Sequence, residues 1–253
     1  MIAIFYVCSK RPCHHSNTNN LTVQDAVLDA VCEEEPFLDG FAHKGILSGA
    51  RVILAAVQEQ LVAALASHPD YGLVITGHSL GAGTAILLAL DLLAGPIVSS
   101  ARIRCLALAP PPVFRSINPI AQPVNAAIDI LVNNSDCVPR LSLASVARLL
   151  ASLRAVDQLG LSVAEQLAVL AGRPGPEVRQ TAGRVRAAVE RARQDKFPPL
   201  EHPGRIHHLV KQGDSHGLHR SDSKVFTEAF LLVENMIADH LHTSYQATLG
   251  ALR

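Results

Sequence analysis

The chain has 253 residues, which suits one α/β domain carrying an insertion. Hydrophobic residues make up 49% and the formal net charge is +0, so a large core can form and no global charge attracts a polyanion. Aromatic residues are only 4% and Trp is absent, so packing is aliphatic and nucleic-acid binding by base stacking is excluded.

In chain order, Met1 to Cys8 is short and apolar. It reads as a strand and not as a signal peptide, because no charged segment precedes it and no clean small-residue cleavage site follows. A polar loop, Ser9 to Asn20, leads to a short helix from Thr22 to Val31. Residues 44–67 form a long amphipathic helix, with Ile46, Ala50, Ile53, Leu54, Val57, Leu61, Ala64 and Leu65 at helical spacing. Tyr71 to Thr76 reads as a buried strand and Thr84 to Leu93 as a buried helix. Two further strands follow, Ile103 to Ala109, stopped by three prolines, and Ala127 to Val132. Strands alternating with helices predict a mainly parallel sheet with helices on both faces, an α/β fold. Residues 142–200 break the alternation and read as a helical insertion within a single domain of residues 1–253. Its last helix, Pro176 to Gln194, is basic: from Gly172 to Lys196 seven Lys or Arg face three Asp or Glu. This is either a solvated face, or a lid or surface meeting anionic lipid headgroups. Arg205 to Val210 is a strand, His216 and His219 fall in a polar loop, and a last helix, with a break before its end, runs from about Ser223 to His240.

No run reaches about 18 uninterrupted apolar residues, so no transmembrane helix is predicted. Cys8, Cys13, Cys32, Cys105 and Cys137 are odd in number and lack paired metal spacing. They read as reduced thiols, which points to a cytoplasmic protein.

One motif has specific context. Gly77-His78-Ser79-Leu80-Gly81 fits G-x-S-x-G and lies between the strand at 71–76 and the helix at 84–93. Strand, sharp turn and helix make the nucleophile elbow of an α/β-hydrolase. The turn lifts the Ser79 hydroxyl above the sheet. It also aims the Leu80 N–H, at a helix N-terminus, at a developing oxyanion. A serine nucleophile needs a base and an acid that orients it, and in this fold the order is Ser, then Asp or Glu, then His. Asp136 lies just past a strand end, where such sheets place their sites. Locally it reads equally well as an Asx turn in Asn133-Asn134-Ser135-Asp136. Order leaves His202, His207, His208, His216, His219, His240 and His242 as bases, and local sequence does not choose among them. His207, His208, His216 and His219 could be drawn as a zinc cluster, but no cysteine or carboxylate spacing supports one, so neither metal nor cofactor is expected. His43 reads as a structural hydrogen-bonding residue.

From Leu21 to Leu249 the chain resembles the class 3 lipases, and within them the sn-1-specific diacylglycerol lipases. The resemblance rests on Asp25 to Asp29, His43 to Leu47, Tyr71 to Ala85, Asp136 to Leu141, Pro203 to His208 and Met236 to His240. It implies that Ser79 is the nucleophile, Asp136 the orienting acid and His240 the base. It implies a lipase that hydrolyses a fatty-acyl ester of a di- or monoacylglycerol, with a lipid ester as partner and peripheral membrane contact. Where the family carries Arg-Gly-Thr, which supplies the second oxyanion donor, this chain has Thr18-Asn19-Asn20. Asn20 is then the expected donor, and impaired activity is expected. Against the family's larger members the domain is expected to be N-terminally shortened. Two alternatives are a non-catalytic lipid- or protein-binding relative with a degraded oxyanion segment, and a phospholipase A1 or small-ester esterase.

Overall fold

The structure is a computed structural model that describes residues 2–7, 33–192, 198–213, 215–228 and 230–252, the first six by backbone alone. The loop expected from Ser9 to Asn20, the helix expected at Thr22 to Val31, the expected donor Asn20 and three cysteines, Cys8, Cys13 and Cys32, lie outside the described residues. The chain divides into two compact units, Met1–Ser142 with Pro199–Arg253, and Leu143–Pro198.

The first unit is built on a six-stranded sheet. Its strands are β1 (Ile2–Val7), β4 (Gly72–His78), β5 (Ile103–Leu108), β7 (Ile128–Asn133), β8 (Arg205–Gln212) and β9 (Ser215–Ser221), in that spatial order. The first five are parallel and β9 returns antiparallel to β8. This is the mainly parallel sheet of the α/β-hydrolase fold, with β9 added at one edge. In β4, Leu73, Ile75 and Gly77 are buried while Val74, Thr76 and His78 are half-buried, the period-two signature of a pleated strand. Helix α2 (Leu80–Ala94) packs on β4 and β5, and its central residues, Ala82 to Leu90, are all buried. Its sequence is apolar all round because it is enclosed all round. Helix α1 (Lys44–Ser67) packs on α2 through Ile46, Leu47, Ala50, Leu61 and Leu65. By length and mean hydropathy α1 could cross a bilayer, yet this stripe is committed to the core.

Sequence patterning misses several elements. A three-stranded antiparallel sheet joins β2 (Glu34–Phe37), β3 (Gly40–His43) and β6 (Phe114–Ser116). These strands are too short to show a period. Where the sequence predicts a polar loop around His216 and His219, the structure has β9. It is an edge strand of mostly polar residues, entered by a turn at Gly213 with φ +61°. The helix expected from Ser223 to His240 is the largest correction. Among the described residues of this run only Lys224–Thr227 is α-helical (α3 is Gln122–Ala127, and this short turn is α7 in chain order), and Ala238–His240 is a single 3₁₀ turn. Tertiary hydrogen bonds replace helical ones. Cys137 N–H donates to Met236 O, Ser135 N–H to Asp239 Oδ2, and Asn133 Nδ2 to Asp239 O. A further helix, α8 (His242–Gly250), has no counterpart in the sequence pattern.

Among its described residues the second unit holds three helices, α4 (Leu143–Asp157), α5 (Val163–Leu170) and α6 (Pro176–Ala192). Both α4 and α5 pack on α6. A capping box of Ser162 and Glu165 starts α5, and the proline that opens α6 sits where a missing N–H costs nothing.

Candidate active site

β4 ends by throwing Ser79 into a conformation that side chains rarely adopt, φ 57° and ψ −128°. Such strain costs about 1–3 kcal/mol and persists only where its surroundings enforce it. Here Ser79 N–H donates to Leu108 O at 2.9 Å, and Ser79 O accepts from Ala82 N–H at 2.9 Å. Gly77 has a steric reason: a Cβ there would lie 2.3 Å from Gly81 O. The Leu80 N–H belongs to the first turn of α2 and has no acceptor within its own helix. It is therefore a ready donor beside the serine.

Asp136, fully buried, and His240, mostly buried, meet Ser79 from the other side. His240 Nε2 is 2.9 Å from Ser79 Oγ, and His240 Nδ1 lies 3.0 and 3.2 Å from the two oxygens of Asp136. Since a carboxylate only accepts, Nδ1 carries the proton and Nε2 is left to accept from the hydroxyl. Ser79, Asp136 and His240, separated by up to 161 positions, thus form one hydrogen-bonded line. The two local readings of Asp136 coexist: Oδ1 accepts from Val138 N–H at 2.9 Å, an Asx turn, while also facing the imidazole.

Two residues at this site escape sequence reasoning. Tyr245, on α8, donates its hydroxyl to Asp136 Oδ2 at 2.7 Å and accepts from Asn133 N–H at 2.9 Å. Burial, then the charge of Asp136, push its pKa well up, so it stays a donor. The only signal was that a buried tyrosine requires a partner. His78 donates from Nε2 to His240 O at 3.0 Å and fixes the backbone of the segment that carries His240. Burial, then the neighbouring His240, lower its pKa. It stands inside the G-x-S-x-G motif, and no local signal marks its bond to a residue 162 positions away.

Five other histidines, His43, His202, His207, His208 and His219, are engaged elsewhere. His207 bonds Asp129 Oδ1 at 2.7 Å, and Arg205 bonds Asp129 Oδ2 at 2.6 Å. Burial raises the Asp129 pKa, but the bonds from His207 and Arg205 bring it below its usual value. His208 donates to Asn134 O, His202 donates to Pro139 O, and His219 lies beside Gln212. His43 caps α1 by accepting from Ile46 N–H. Among the described residues no group of three His, Cys, Asp or Glu is placed to hold a metal ion.

Residues 13–146 match the family described as lipase (class 3). The chain belongs to the class 3 lipases. It is 32% identical over 134 residues to diacylglycerol lipase-beta of Mus musculus, which covers 50% of this chain and 19% of that protein. The match thus spans about a fifth of the curated relative. Among solved structures this class 3 lipase is similar to the lipase from Rhizopus microsporus var. chinensis, with TM-score 0.51, 18% identity, and 87% and 61% of the two chains covered. It is also similar to MDLA from Penicillium cyclopium, in a mutant form, with TM-score 0.53, 17% identity, and 88% and 66% covered. A third likeness, TM-score 0.52 at 17% identity over 87% and 66% of the chains, is to a triacylglycerol lipase whose catalytic centre is described as a serine protease triad. At these identities the structures establish the α/β-hydrolase fold.

Proposed function

We propose that this class 3 lipase is a serine hydrolase that cleaves a fatty-acyl ester of a di- or monoacylglycerol. The observation that carries this reading is the line from Ser79 Oγ through His240 Nε2 and Nδ1 to a fully buried Asp136, at 2.9 and 3.0 Å. Ser79 attacks the ester carbonyl as His240 takes its proton, and Asp136 steadies the imidazolium. The oxyanion that forms sits against the Leu80 N–H. His240 then returns the proton to the departing glycerol oxygen, leaving an acyl-serine. Water, activated by the same histidine, releases the fatty acid and restores Ser79. Side chains and water supply every proton transfer.

The lipid class rests on two supports. One is the identity to a protein named diacylglycerol lipase-beta. The other is the setting of the site: Leu80 and Leu241, immediate neighbours of Ser79 and His240, expose their aliphatic side chains, as does Ile237. Such a rim suits an acyl chain better than a polar substrate. The assay is fatty-acid release from a diacylglycerol, a monoacylglycerol, a phospholipid and a short-chain ester, by wild type and Ser79→Ala. Turnover of the acylglycerols above the phospholipid, lost in the variant, is expected. Preference for the phospholipid or the short ester would move the assignment to a phospholipase A1 or an esterase.

One observation favours a second reading, a binding protein that has lost turnover: Thr18-Asn19-Asn20 stands where the family carries Arg-Gly-Thr. In that case none of the substrates would be hydrolysed.

A further inference from the structure

The second unit turns a helix inside out. In α5 the large aliphatic residues recur at i, i+4 and i+7, the spacing of one helix face. An amphipathic helix normally buries that stripe. Here Val163, Leu167 and Leu170 are 70%, 56% and 83% exposed, whereas Ala168 and Val169 are half-buried. The helix is well defined at its start: Ser162 Oγ accepts from Glu165 N–H, and Glu165 reaches back to Ser162 N–H. The outward stripe is therefore not the fraying of a loose turn.

Cations accompany the stripe. Helix α6, on which α5 packs, exposes Arg179, Arg184, Arg186 and Arg191. Arg184 stands closest to α5, donating to Leu159 O at 3.5 Å and attracting the Glu165 carboxylate. Arg173 follows just after α5 and is also exposed. Between residues 143 and 192 the sequence has seven arginines, four acids and no aromatic residue. Protein-binding hot spots draw on Trp, Tyr and Arg, and of these the unit has the arginines without a Trp or Tyr anchor. Aliphatic side chains flanked by cations suit the boundary between acyl chains and anionic headgroups.

We propose that the unit Leu143–Pro198 docks on an anionic lipid surface, with Val163, Leu167 and Leu170 entering the acyl region and Arg173, Arg179 and Arg184 lying among acidic headgroups. The choice of a lipid over a protein leans on the lipid-ester reading above, but the docking does not require catalysis. It is tested with the whole chain and vesicles of ether-linked phospholipids, which a lipase cannot hydrolyse, so that failure of docking and failure of hydrolysis are read separately.

Co-sedimentation is measured with phosphatidylcholine alone and with added phosphatidylserine. Binding to the acidic vesicles is expected, and salt should weaken it as screening shortens the reach of the arginines. Leu167→Glu with Leu170→Glu should lower partitioning at least about tenfold, since each buried leucine carries roughly that much. Arg179→Glu with Arg184→Glu should lower it by a similar factor on acidic vesicles only. Melting curves like wild type confirm that these exposed substitutions leave the fold alone. Independently, a polarity-sensitive dye on Leu170→Cys should shift to the blue when acidic vesicles are added. Equal binding to both vesicle types, unchanged binding in the variants, or a dye that does not shift overturns the proposal. So does absence of binding to either vesicle, the result expected if a protein covers the stripe.

Discussion

Tyr245 and Asp136 share a hydrogen bond of 2.7 Å in a place closed to solvent. The bond ties α8 to the loop after β7, and His240 lies between those anchors. The same hydroxyl accepts from Asn133 N–H, so one oxygen serves the carboxylate and the strand end together. Tyr245→Phe removes both interactions and leaves a buried N–H without an acceptor. A hydrogen bond to a charged group contributes about 1.5–3 kcal/mol, so unfolding free energy should fall by about 2 kcal/mol in urea titrations. If the account is right, kcat falls about tenfold with KM little changed, because Asp136 no longer holds the imidazole as firmly. A variant with wild-type stability and kcat would remove Tyr245 from the site.

The histidines should separate cleanly. His240→Ala should lower kcat by several orders of magnitude, as loss of a triad member does elsewhere. His216→Ala and His219→Ala, on β9, should leave kcat within about twofold, since β9 is an edge strand separated by β5, β7 and β8 from the strand that leads to Ser79. Comparable losses in all three, measured on a soluble ester, would mean that His240 is not the base.

Acid should loosen the protein through His202. Burial pushes its pKa down to about 4, with a hydrogen bond to Pro139 O opposing and nearby Arg140 adding to the fall. The unfolded chain takes up that proton near pH 6.5, and the folded protein does so only near the lowered value. The contribution is therefore complete above about pH 6.5, declines as the pH falls from there, and is gone below about pH 4. Over that window the loss amounts to roughly 3 kcal/mol. His202→Gln can keep the donor to Pro139 without a titrating ring, so its unfolding free energy should vary less between pH 7 and pH 4. Parallel pH dependences in the variant and wild type would place the acid sensitivity elsewhere.

Replacing Thr18, Asn19 and Asn20 by Arg, Gly and Thr bears on the oxyanion. One missing donor costs about 10²–10³ in kcat. Restoration should raise kcat with little effect on KM, because the oxyanion exists only in the transition state. A kcat that stays level or falls at saturating substrate, with the fold preserved, would mean that Asn20 already serves or that the donor lies elsewhere.

The elbow was legible because its constraint is local. Gly77, Ser79 and the flanking apolar runs lie within a few residues of one another, and the steric reason for Gly77 is contact with Gly81. The parallel sheet was legible for a related reason, since its strands are short apolar runs bounded by turn residues or prolines. What failed was long-range. The run from Leu231 to Ile237 has helical spacing, but hydrogen bonds from Cys137 and Ser135 to Met236 and Asp239 hold it in another shape. Nothing near Tyr245 announces an aspartate 109 positions away. His240 and Asp136 were named from resemblance, and the fold brings both to Ser79. The residues on β9 mislead for the opposite reason: an edge strand buries little, so its sequence carries little pattern.

The central claim is that Ser79 is a nucleophile activated by His240. Its most direct test is reaction of the whole chain with a fluorophosphonate probe, followed by mass spectrometry of the labelled peptide. The account predicts one adduct, on Ser79, formed rapidly in wild type, strongly slowed in His240→Ala and absent in Ser79→Ala. No adduct on Ser79, or an adduct that forms equally fast without His240, would contradict it.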